Sequence, residues 1–102
     1  MKHPNGHLDV MHIPIRKIGE DNSTVTYQFE SNFWIQDPEI PSRNAVYAVY
    51  SGEILVHKDT QECVVIHEMP FDTGGVSSRA LRAIKKRIEH GEYPDKTAWS
   101  SG

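Results

Sequence analysis

The stretch Asn44 to Met69 constrains this chain most: two turn signals punctuate an otherwise apolar, β-branched run, which predicts a three-stranded antiparallel meander. The first signal is Ser51-Gly52, which suits a two-residue hairpin because Gly52 accepts positive φ without steric penalty. Tyr50 then faces Glu53, Ala48 faces Leu55 and Val46 faces His57. The second is Asp59-Thr60-Gln61. A three-residue loop places Lys58 opposite Glu62, Val56 opposite Val64 and Ile54 opposite Ile66, with Gln61 in the left-handed position that glycine usually fills.

This register divides the meander into two faces. Tyr47, Val49, Ile54, Val56, Val64 and Ile66 form one apolar face suited to a core. The other carries Val46, Ala48, Tyr50, Glu53, Leu55, His57, Cys63, Val65 and His67, more apolar than a solvated sheet face.

Upstream, Val10–Ile18 alternates apolar Met11, Ile13 and Ile15 with polar neighbours, although Pro14 restricts that strand to an edge or a bulge. After the turn at residues 19–22, Val25, Tyr27 and Phe29 alternate with polar residues in a second strand. Residues 31–43, with Pro38 and Pro41, read as a long connection carrying the cluster Phe33-Trp34-Ile35. Residues 1–8 read as a loose arm and 92–102 as a coil tail.

A helix is expected from Ser78 to His90, with Ser77 as N-cap, Val76 as a staple and Gly91 just past the C-terminus. Its buried stripe is narrow: Ser77, Leu81, Ile84 and Ile88 align at helical spacing, with Ala80 beside them. The fold expectation is one α+β domain over residues 1–102. It consists of an antiparallel sheet of about five strands, an N-terminal hairpin plus the meander, with one C-terminal helix on one face.

With 102 residues, 37% hydrophobic and 25% charged, the composition is that of ordinary globular material. A lone cysteine, Cys63, excludes an internal disulfide and fits a reducing compartment. No apolar run follows the first residues and none reaches the roughly 20 residues of a membrane span, so a cytoplasmic protein without membrane contact is expected. Five of the chain's cations lie in the helix with one acid, giving the helix +4 against −7 for the rest of a chain of net charge −3.

Chemical motifs are sparse. Asp72-Thr73-Gly74 is the tripeptide of aspartic proteases, but Pro70 precedes it, a cationic helix follows it, and no strands remain downstream to build a cleft. His57 and Cys63 become cross-strand neighbours in the expected register, while His67 lies about 13 Å further along the strand, too far for one metal. No metal and no cofactor are expected.

Three functions follow. The first is a non-catalytic interaction domain, more consistent with the residues than an enzyme. It pairs with a second copy or another protein through Val46, Tyr50, Leu55 and Val65, with Trp34 as an anchor. The alternative is a ligand-binding protein or enzyme with Tyr50, His57, Cys63 and His67 in a pocket, or with a small anion held by Gly74, Gly75, Ser77, Ser78 and Arg79 at the helix start. Arg79 opposes the helix dipole there, by a few tenths of a kcal/mol in order of magnitude. The third, nucleic-acid binding through the cationic helix, is disfavoured by the acidic remainder of the chain.

Overall fold

The computed structural model describes residues 6–72 and 75–100. Among these residues six strands and one helix follow in the order β1 (Gly6–Leu8), β2 (His12–Glu20), β3 (Thr24–Gln36), β4 (Asn44–His57), β5 (Glu62–His67), α1 (Val76–Glu89) and β6 (Lys96–Ser100). The strands form one antiparallel sheet, ordered β5-β4-β3-β2-β6, and β1 pairs with β3 beyond the end of β2. The α+β class, the N-terminal hairpin and the single helix on one face are as the sequence implies.

The meander differs in one decisive place. Ser51-Gly52 is not a turn; β4 runs unbroken from Asn44 to His57, with Ser51 opposite Glu30 and Gly52 opposite Phe29. Glycine is required there because it has no side chain. A Cβ on Gly52 would stand 2.3 Å from Phe29 Cζ and 2.7 Å from the His67 carbonyl oxygen. A glycine inside a strand marks such a close approach as readily as a bend.

The second joint is one residue longer than the sequence suggests: His57 pairs with Glu62, Val56 with Cys63 and Ile54 with Val65. Gln61 nevertheless takes the left-handed conformation, at φ 61°, and its N–H donates to the His57 carbonyl at 2.7 Å. A bulge between Ile54 and Glu53 restores the expected partnership of Glu53 with His67.

One-residue slips exchange the two faces of a strand. Val49 and Val64, expected in the core, therefore lie on the exposed side, while Tyr50, Cys63 and Val65 pack against the core. Under the helix lie Ile13 and Ile15 of β2, Val25, Tyr27 and Phe29 of β3, and Ile54 and Val56 of β4, each at most 2% exposed. The helix contributes Val76, Ala80, Ile84 and Ile88, four residues apart, so they form one stripe.

β3 is longer than its sequence signal. The alternation passes through buried Ser31, whose hydroxyl donates to the Asp9 carbonyl at 2.7 Å, and continues to Phe33 and Ile35. The connection to β4 is therefore only residues 37–43, tied by Asp37. Its carboxylate accepts from the Glu39 amide at 2.9 Å and from Arg43 Nε at 3.0 Å.

The tail is not coil. Tyr27 donates its hydroxyl to the Pro94 carbonyl at 3.0 Å and the Lys17 N–H donates to the Asp95 carbonyl at 2.8 Å, which docks β6 beside β2. Pairing of β2 with β3 begins at Ile15, just past Pro14, which has no N–H to offer.

The helix ends in a Schellman arrangement: the Glu92 and Gly91 N–H groups donate to the Arg87 and Ile88 carbonyls, with Gly91 at φ 75°. Its start is Gly75 rather than Ser77.

Candidate functional site

The helix has 14 residues and is about 21 Å long, whereas β3 and β4, with 13 and 14 residues, each run about 45 Å. One helix therefore covers less than half the length of one face. On that face the remainder is closed by aromatic rings. Phe33 stands 6.2 Å from Tyr47, 5.8 Å from Tyr50 and 6.2 Å from Phe71, centre to centre. Tyr47 and Phe71 remain about half exposed.

On the opposite face no helix or strand of the described residues packs. Its centre is polar: Arg16 donates through Nε and Nη2 to Gln28 Oε1 at 3.0 and 2.7 Å and lies 3.9 Å from Glu30. Apolar side chains flank this centre at both ends of β4. Towards one end Trp34 pairs with Val46, next to Val49; towards the other Leu55 pairs with Val64, next to Ile66 at the bulge. Val46 is 48% exposed, Val49 57%, Val64 39% and Ile66 43%.

The expected interface set is thus divided. Val46, Leu55 and Trp34 lie on the open face. Tyr50 and Val65 are on the helix side, packed against the core, because Gly52 does not turn the chain and the β4–β5 loop is longer.

The expected pocket is divided in the same way. Cys63 faces the core opposite Val56, and Tyr50 packs on Phe33, while His57 and His67 pair with Glu62 and Glu53 on the other side. These four side chains do not converge. Burial raises the Cys63 thiol above its ordinary pKa, against a smaller opposite influence from Lys85, so it is a poor nucleophile.

At the helix start Gly74 lies outside the described residues. The first-turn amides already have an anion from within the chain: Asp72 accepts from Val76 N–H at 2.7 Å and Ser77 N–H at 2.8 Å. Partial burial alone would raise the Asp72 pKa. Hydrogen bonds from Ser77, Val76 and Gly75 outweigh it and hold the carboxyl below its usual value. The Ser77 hydroxyl accepts from the Met69 N–H at 3.4 Å, Ser78 is exposed, and Arg79 donates its N–H to the Gly75 carbonyl. The phosphate-type site therefore has its position taken.

Two clefts fall where the sequence gives little signal. One, of about 590 Å³, lies between β1 and Trp34 and includes Met11 and Asn44. The other, of about 420 Å³, runs between α1 and β6 and is lined by Arg82, Lys86, Arg87, His90 and Trp99. Neither is legible without β1 and β6, strands of three and five residues whose alternation is too short to stand out.

Among the described residues no group of three or more His, Cys, Asp or Glu side chains could hold a metal ion, and no helix is long and apolar enough to cross a membrane. No protein-family model, curated protein or solved structure matches the chain.

Proposed function

We propose that this chain is a non-catalytic interaction domain that forms a homodimer through the open face of its sheet. The observation that carries the reading is the pair of exposed apolar groups at the two ends of β4, on a face that no helix or strand of the described residues covers. Val49 and Leu55 are six residues apart on that strand, about 20 Å by the usual rise. A two-fold axis through the polar centre lays one group of each copy against a group of the other. A self-complementary patch of this kind is the commonest solution for an exposed apolar surface.

The ligand-pocket reading has lost the convergence it required, and the anion reading has lost its vacant helix start.

The experiment places charge on each apolar end. Val64→Lys and Val49→Lys are both solvent-exposed substitutions, so each should leave the circular dichroism spectrum unchanged while halving the solution mass. Variants that fold and keep the wild-type mass in micromolar solution would refute the dimer.

A further inference from the structure

Among the described residues β6 ends the sheet, with β2 on one side only. Because Lys17 donates to the Asp95 carbonyl, the odd-numbered residues of β2 and β6 turn their main-chain groups towards each other. Lys96, Ala98 and Ser100 therefore turn theirs outward, away from the sheet. Such an edge accepts another strand readily.

The groove beside this edge has a definite charge. Arg82, Lys86, Arg87 and His90 line it, and no carboxylate does among the described residues; Arg87 lies 3.9 Å from Glu92 at its end. Arg82 stacks 5.9 Å from the centre of the Trp99 ring, which also lines the groove. Five of the eleven Lys and Arg residues of a chain of net charge −3 lie along the helix that flanks this strand edge.

We propose that the β6 edge takes an acidic, extended peptide segment of another protein as an additional strand, with its carboxylates directed at Arg82 and Lys86. Main-chain hydrogen bonds to a sheet edge supply affinity and the flanking groove supplies selectivity. A second copy is disfavoured at this edge. Pairing β6 with β6 across a two-fold axis would set two cationic helices side by side on the same face. The surface is also separate from the proposed dimer face, so either can fail without the other.

The test uses a dye-labelled peptide alternating glutamate with valine, and a control alternating lysine with valine, against the full chain at low salt. Fluorescence anisotropy should show binding of the glutamate peptide only. Amide exchange should slow by about tenfold or more at Lys96, Ala98 and Ser100 in the complex. The double variant Arg82→Glu, Lys86→Glu should weaken binding by about tenfold or more. Ala98→Pro, which removes an outward N–H at a position where an edge tolerates proline, should do the same. If that variant does not fold, protection of the three amides in the wild-type complex decides.

Absence of binding, or binding without protection of those amides, overturns the proposal. So does a single-stranded oligonucleotide that binds more tightly than the peptide, which would make the groove a nucleic-acid site. Protection of the same amides in the free protein, rising with its concentration, would overturn it in favour of self-pairing.

Discussion

Phe29 and Gly52 face each other across β3 and β4, and the Phe29 ring lies where a side chain at position 52 would begin, 2.3 Å from its Cβ. Overpacking in a rigid sheet costs about 1–3 kcal/mol, and here one of the clashing atoms is backbone. Gly52→Ala should therefore lower the urea-unfolding free energy by about 2 kcal/mol or more. Adding Phe29→Leu should recover part of that loss in a double-mutant cycle. A glycine at a hairpin tip would show no such coupling to Phe29.

Gln61 and Phe71 both hold left-handed backbone, at φ 61° and 58°, and they should respond oppositely to glycine. At Gln61 the relief of about 1 kcal/mol exceeds the roughly 0.5 kcal/mol of added freedom in the unfolded chain. Gln61→Gly should raise stability by about 0.5 kcal/mol. Phe71 packs on Tyr50 at 5.5 Å and on Phe33 at 6.2 Å, so Phe71→Gly loses ring contacts that outweigh the relief and should lower the thermal midpoint.

Asp72 caps the helix from outside it. Asp72→Ala should cost about 1 kcal/mol at neutral pH, the usual value of a lost cap. The folded pKa lies below the ordinary value of 3.8, so this contribution is present above that value and disappears as pH falls through the folded one. Urea unfolding of Asp72→Asn should show a shallower loss of stability between about pH 4 and pH 2 than wild type. Asp21 and Asp37, also held below their ordinary values, keep part of the slope.

Cys63 sits half-buried with its thiol pKa raised. It should react with a disulfide reagent at mildly alkaline pH more slowly than free cysteine, and reach the free rate in denaturant. Equal rates in both conditions would place the thiol in solvent.

The sequence discloses periodicity and turn chemistry well, and absence of a side chain poorly. The Ile84 and Ile88 stripe of α1, the Gly91 terminus and the left-handed Gln61 are legible because each rests on a local rule, whereas the Glu53–His67 partnership matches only because the bulge beside Ile54 offsets the longer loop. Gly52 was not, because freedom at φ and the need for a missing Cβ leave the same letter. That one ambiguity reversed the first half of the meander, and one extra loop residue reversed β5. Of the interface residues expected, Val46, Leu55 and Trp34 lie on the open face, and Tyr50 and Val65 moved to the core side with those slips. Ser31 hid the second half of β3 by interrupting an apolar alternation with a polar residue that finds its partner in the Asp9 carbonyl. β6 depends on tertiary anchors, the Tyr27 hydroxyl and the Lys17 amide, which local pattern does not contain.

In the proposed dimer a second copy closes the open face. Sedimentation equilibrium of the wild-type chain at micromolar concentration measures this directly. A closed dimer gives a mass twice 11.6 kDa, and a single species at 11.6 kDa across that range would contradict it.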